Sequence, residues 1–180
     1  TVRRMLPGSI HTPVKKLKLM TYTAFKNGWI TTDPFSSFRI SVTYRDRRFL
    51  SESELQAVMN VRLPNYKTSI VRDIFVFCCF TGLCYADVKK LSREDIHTDE
   101  RGDMWIIDKR TKTGTQFRVK LLPVAKQLVE QYSRLQLPDD KVFPVKDDNS
   151  MNMSLRHVAR HAGLSFNPTT HTGKHHTISI

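Results

Sequence analysis

The sequence predicts a mainly α-helical protein with one small antiparallel β-sheet, an α+β fold. Apolar residues recur at helical spacing over most of the chain. The period changes at Met104-Trp105-Ile106-Ile107 and Phe117-Arg118-Val119-Lys120-Leu121, which read as two strands, the second alternating cleanly. A basic loop with one glycine, Lys109-Arg110-Thr111-Lys112-Thr113-Gly114-Thr115, separates them and makes the pair a hairpin with a cationic tip.

The elements follow in order. From about His11 to Trp29, Val14, Leu17, Leu19, Met20, Ala24 and Phe25 lie mostly at helical spacing among Lys15, Lys16, Lys18 and Lys26. This predicts a basic amphipathic helix closing near Asn27-Gly28, where a left-handed cap is easy. Thr32-Asp33-Pro34 stops any helix, and residues 35–48 are basic and aperiodic, including Arg45-Asp46-Arg47-Arg48. They read as a linker, with a domain boundary near Arg48. Ser51 and Glu54 have capping-box spacing in front of Leu55, Val58 and Met59. A nearly all-apolar helix is expected from Thr68 to Phe80, hence buried, followed by a turn at Thr81-Gly82 and a short helix through Tyr85, Val88 and Leu91. After the hairpin, helical pattern returns behind Pro123 with Val124, Leu128, Val129, Tyr132 and Leu135. Val142-Phe143-Pro144 reads as extended, and a helix from Met151 to His161 carries Arg156, His157, Arg160 and His161.

Composition narrows the function classes. The 180 residues suit one moderate domain, or a domain plus part of another, and 39% hydrophobic content supports a packed core. Lys and Arg number 29 against 17 acids, a net charge of +12. Such an excess repels itself, and a polyanion relieves it by releasing condensed counterions. A basic solvated surface without a partner gives the same count. The three cysteines, Cys78, Cys79 and Cys84, have neither disulfide-framework nor zinc-type spacing. No apolar run approaches the roughly 20 residues that span a bilayer. A soluble, cytoplasmic protein is expected, with no membrane partner.

From Phe49 onward the order of elements resembles the catalytic domain of tyrosine recombinases, most closely integrases of Bacteroides-type mobile elements. The segments that carry the resemblance are Phe49-Leu50-Ser51-Glu52-Ser53-Glu54-Leu55, Thr81-Gly82-Leu83-Cys84-Tyr85-Ala86-Asp87-Val88, Arg110-Thr111-Lys112-Thr113-Gly114 and His171-Thr172-Gly173-Lys174-His175. Gly28-Trp29-Ile30 followed by Asp33-Pro34-Phe35 is similar to the end of the preceding helical core-binding domain. The resemblance implies a core-binding remnant over residues 1–34, a linker over 35–48 and a catalytic domain over 49–180. It implies double-stranded DNA as partner, other recombinase protomers as further partners, a bacterial nucleoid location, and no cofactor or metal.

It also implies a reaction. A tyrosine hydroxyl attacks a phosphodiester, forms a 3′-phosphotyrosyl link and releases a 5′-hydroxyl; a second DNA end reverses the step. The pentacoordinate phosphorane places extra negative charge on non-bridging oxygens, so cationic donors must surround it. By resemblance Lys112 protonates the leaving 5′ oxygen, while Lys109 and Arg110 contact neighbouring phosphates. A solvated hairpin charge is the blander reading of Lys112. Cys84 stands where the family usually has its first arginine, and a thiol supplies neither permanent charge nor fork. Asp87 holds the motif's acidic position, as a buttress or, equally, as a cap or solvated acid. His171 and Lys174 match an H-x-x-R motif with lysine replacing arginine, and His175 matches the histidine that follows. Further DNA contacts are expected from Lys15, Lys16, Lys18, Arg45, Arg47, Arg48, Arg156 and Arg160.

The five tyrosines, Tyr22, Tyr44, Tyr66, Tyr85 and Tyr132, all precede His171. The resemblance places the nucleophilic tyrosine well downstream of the H-x-x-R motif, so it is expected to be missing, the chain truncated and unable to cleave DNA by itself, with apolar surface exposed near Phe166 and Ile178. Two alternatives stand beside the recombinase reading: a non-catalytic DNA-binding module competing for recombinase sites, and a basic helical RNA-binding protein, which explains the charge but not the four ordered motifs.

Overall fold

The computed structural model describes residues 7–39 and 48–174. The chain divides into two compact units, Thr1–Arg47 and Arg48–Ile180.

In the first unit the basic amphipathic stretch forms one helix, α1 (Pro7–Lys26). Among the described residues it runs from Pro7, ahead of the expected start at His11. Gly28 adopts φ +71°, and the N–H groups of Gly28 and Trp29 donate to Phe25 O at 3.0 Å and Ala24 O at 2.9 Å, closing the helix. Beyond it, Phe35 and Phe38 meet edge to face at 5.8 Å, and Lys18 Nζ donates to Phe38 O at 2.7 Å. Leu19, Met20 and Trp29 stay exposed.

The second unit is organised around one buried helix. α2 (Glu52–Asn60) opens on the capping box: Ser51 Oγ accepts from Glu54 N–H at 3.2 Å, and Glu54 Oε2 accepts from Ser51 N–H at 2.8 Å. α3 (Tyr66–Thr81) starts at Asn65, whose side chain accepts from Thr68 N–H, and ends at Gly82 in the left-handed region at φ +66°. Its run Ile70 to Cys79, except Arg72, is buried, and α2, α4 (Tyr85–Lys90), α5 (Pro123–Tyr132), α6 (Asp148–His161) and α7 (Thr170–Lys174) all pack against α3 or, for α7, also against α6. Phe143, in the extended piece, fills the centre, 4.7 Å from Phe77 and 5.3 Å from Tyr132 between ring centroids.

α6 starts at Asp148, not Met151, because Asp147 caps it by accepting from Ser150 N–H at 2.9 Å. Its first turn is polar, so apolar periodicity begins only at Met151. Phe166, expected on an exposed apolar surface, is half-buried against the core beneath the Arg48 guanidinium, 4.8 Å from its ring centroid. Ile178 lies outside the described residues.

The sheet has three antiparallel strands in the order β1-β2-β3, where the sequence reading expected two: β1 (Ile96–Thr98), β2 (Met104–Lys109) and β3 (Gln116–Lys120). β1 is held by a tight turn in which Asp99 Oδ1 accepts from the N–H groups of Arg101 and Asp103, both at 3.0 Å. Ile106 is fully buried opposite Ile96 and Val119, so one sheet face lies on the core and the other faces outward. No helix among the described residues is long and apolar enough to cross a membrane.

Candidate functional site

The site begins where α3 stops. The left-handed turn at Gly82 reverses the chain, with Gly82 N–H donating to Cys78 O at 2.9 Å, and Leu83 then plugs the core. Cys84 precedes α4, and its thiol donates to Asp87 Oδ2 at 2.9 Å. Asp87 is 1% exposed and is the node of the site. Besides Cys84, it accepts from Arg110 Nη1 at 2.8 Å and from the Thr111 backbone N–H at 2.9 Å. Burial works to raise its pKa, but the donors Cys84, Thr111 and Arg110 outweigh it and hold the carboxyl well below the usual carboxylate range. Asp87 is thus an ionised anchor for the β2–β3 loop.

A second, oppositely signed contact runs beside the first. Lys90 Nζ pairs with Asp108 at 2.8 Å and also donates to Lys109 O. Asp87 and Lys90 are three residues apart on α4 and share a face, which meets Arg110 and Asp108 with signs reversed. Neither Lys90 nor Asp108 was expected to take part. The signal was present, as an acid inside an otherwise basic strand end, but only their pairing gives it meaning.

These contacts fix the hairpin tip. Arg110 N–H donates to Thr115 O and Gly114 N–H to Arg110 O, both at 2.8 Å, and Gly114 takes φ +68°, which a side chain would disfavour. The Arg110 guanidinium also lies 4.6 Å from the Phe117 ring centroid. Arg110, expected at a phosphate, therefore has one nitrogen committed to Asp87. Lys112 and Lys109 remain exposed and form no ion pair among the described residues. The tip is a loop tied to α4 by these bonds, and among the described residues no acid pairs with its two exposed lysines.

α7 is placed by a different set of bonds. Thr170 is buried; its N–H donates to Asn152 Oδ1 at 2.9 Å and its hydroxyl to Asp148 Oδ1 at 3.0 Å. This pins the start of α7 to the first turns of α6 and leaves His171 exposed. Lys174 is the last residue of α7, and His175 lies outside the described residues. The α6 start is joined in turn to α4: Tyr85 donates its hydroxyl to Lys146 O at 2.6 Å, one residue before the Asp147 cap. Three hydrogen bonds, joined by α4 and by residues 146–148, thus connect the hairpin tip to Thr170, the neighbour of His171.

The other expected DNA contacts lie on other elements. Arg156 and Arg160 project from the exposed side of α6, opposite buried Leu155, Val158 and Ala159. Lys15 and Lys16 are exposed on α1, whereas Lys18 is half-buried on Phe38 O. Arg48 is engaged within its own unit, donating to Ser165 Oγ at 2.7 Å and lying 3.7 Å from Glu54. Arg45 and Arg47 lie outside the described residues. Among the described residues no group of three or more His, Cys, Asp or Glu side chains is arranged to hold a metal ion.

No family model matches the chain, and no curated protein matches it. Solved structures do. Lambda integrase (residues 75–356), as a dimer bound to a COC′ core site, superposes with a TM-score of 0.70 at 16% identity, covering 90% of this chain and 60% of that one. The Tn1549 transposon integrase, in complex with circular intermediate DNA, gives 0.66 at 15% identity over 96% of this chain and 65% of its own. The XerA recombinase gives 0.56 at 14% identity, over 96% and 67%. The chain spans about 60% of the lambda integrase chain and 65% of the Tn1549 integrase chain. A mainly helical body with a three-stranded antiparallel sheet, arranged as in these proteins, is the catalytic-domain fold of the tyrosine recombinases.

Proposed function

We propose that this chain holds double-stranded DNA as part of a tyrosine-type site-specific recombinase, an integrase of a mobile element. Residues 1–34 are then the end of a core-binding domain, 35–48 a basic linker and 49–180 catalytic-domain sequence. The observation that carries the reading is the hairpin tip: Asp87 and Lys90 clamp the loop to α4 while Lys112 stays exposed and unpaired by any described acid. A loop backbone tied down before binding has less entropy left to lose when its lysine meets a phosphate. The net charge of +12 and the shared fold support the same reading.

In this proposal Lys112 is the proton donor to the leaving 5′ oxygen, and His171 holds or moves a proton at the same phosphate. Lys174, which ends α7, and His175 complete the motif that His171 begins. Cys84 does not contact the phosphate: its thiol is committed to Asp87, which makes it part of the support for the hairpin. In this reading none of the chain's five tyrosines, all of which precede His171, is the nucleophile. Of its tyrosines, Tyr85 donates to Lys146 O and Tyr132 to Asp73, which occupies both hydroxyls in structural bonds. Other recombinase protomers on the same DNA, in the nucleoid of a bacterial cytoplasm, are the further partners.

Titrating a labelled duplex from about 50 to about 200 mM salt tests the reading. Steeply salt-dependent binding is expected, with the log–log slope reduced by about 1 in Lys112→Gln. Binding that ignores salt, or a Lys112→Gln slope equal to the parent's, would contradict it. A suicide-substrate assay should leave no covalent adduct on these 180 residues.

A further inference from the structure

The outward face of the sheet carries a second cluster of cations. Cross-strand register puts His97, Trp105 and Lys120 in one row, Ile107 with Arg118 in the next, and Lys109 with Gln116 beside the tip. Directly paired residues share a face, so all seven point away from the core, and none is acidic. The Arg118 guanidinium lies 4.2 Å from the Trp105 ring centroid and is exposed. It forms no ion pair among the described residues. Trp105 is itself held, its indole N–H donating to Asp99 Oδ2 at 2.8 Å. Lys120 also lies over the Trp105 ring, but Asp103 neutralises it.

Charge is therefore graded along the strands. Lys112 and Lys109 stand at the tip end, Arg118 follows, and the face ends in a turn where Asp99, Glu100 and Asp103 outnumber Arg101. Rows two residues apart lie about 6.8 Å from each other, so the cations form a line rather than a single point. A guanidinium resting on an indole keeps its N–H edge outward, and that planar edge matches two oxygens of one phosphate.

We propose that this face is a second phosphate-binding strip, in which Arg118, positioned by Trp105, takes a DNA backbone phosphate next to the one beside the hairpin tip, and the acidic β1–β2 turn marks where the DNA leaves the protein. The inference rests on the DNA-binding reading above and extends its footprint to residues outside the reaction site. It makes two opposite predictions. Arg118→Gln lowers the salt slope by about 1 and weakens binding similarly for all duplex sequences. Asp103→Asn frees Lys120, steepens the slope and tightens binding.

Both variants are to be titrated with the same labelled duplex as the parent and Lys112→Gln, after thermal melts show that each folds; Arg118 and Asp103 are surface positions. A slope unchanged in Arg118→Gln, while Lys112→Gln still lowers it, overturns the strip and leaves the DNA reading standing. Asp103→Asn binding no tighter than the parent overturns the assigned boundary and with it the strip. A parent whose binding is independent of salt removes both readings together.

Discussion

Asp87 and Arg110, 23 residues apart in sequence, meet at 2.8 Å and close the β2–β3 loop onto α4. The carboxylate is fully buried, and its other bonds come from Cys84 and the Thr111 backbone. Lys112 is the next residue along the loop, so its position in space is set largely by a side chain that it never touches.

Removing that carboxylate should therefore loosen the tip and cost stability. Asp87→Ala leaves the Thr111 N–H and one Arg110 nitrogen without their acceptor, at about 2–4 kcal/mol. Urea unfolding measures this, and faster amide exchange at 109–115 locates it. A variant with unchanged midpoint and protection would show that the loop is held by other means.

The pH dependence follows from the same bonds. Because the folded-state pKa of Asp87 is depressed, its stabilisation is complete above the unfolded value of about 3.9 and is lost as pH falls through the lower folded value. The stability gap between the parent and Asp87→Asn should be constant at neutral pH and shrink only in acid. A gap that closes between pH about 6 and about 8 would point to a histidine instead.

A second buried carboxylate makes an independent test of the core. Asp73 accepts from Tyr132 at 2.8 Å and from Arg72 at 2.8 Å. Burial, then the charge of Asp73, pushes the Tyr132 phenol up, so it stays protonated and donating at all ordinary pH. Tyr132→Phe should lower stability by about 1–3 kcal/mol, read as a shifted urea midpoint; no shift would mean that Arg72 and Gln131 satisfy Asp73 alone.

The cysteines should separate by reactivity. Burial, with smaller contributions from nearby Cys84 and Asp87, pushes the Cys78 thiol up to about 12, and burial raises Cys79 well above the ordinary range. Alkylation of the folded protein at neutral pH should label half-buried Cys84 first and the other two only on unfolding, as peptide mass spectrometry would show. Equal labelling of all three would contradict the packing of α3.

Much of this fold was legible because its signals are local. The Ser51–Glu54 capping box, the apolar run of α3 and the alternation in β3 each lie within a few residues. β1 was not legible: Ile96-His97-Thr98 is too short to show a period, and the strand exists because Asp99 and Gly102 turn the chain back onto β2. The candidate site divides in the same way. Lys112 stood out by its place between two strands, whereas its support by Asp87, Lys90 and Asp108 spans gaps that no periodicity reports. The link from Tyr85 to Lys146, across 61 residues, is equally silent in sequence.

Lys112 and His171, carried by separate elements but joined through α4 and the start of α6, are proposed to act on one phosphate. A double-mutant cycle with Lys112→Gln, His171→Gln and the double variant, read as duplex affinity at one salt concentration, decides whether they do. A coupling of about 0.5–3 kcal/mol is expected for groups that share a ligand. Losses that add to within about 0.3–0.5 kcal/mol would place the two side chains on different phosphates and contradict the account.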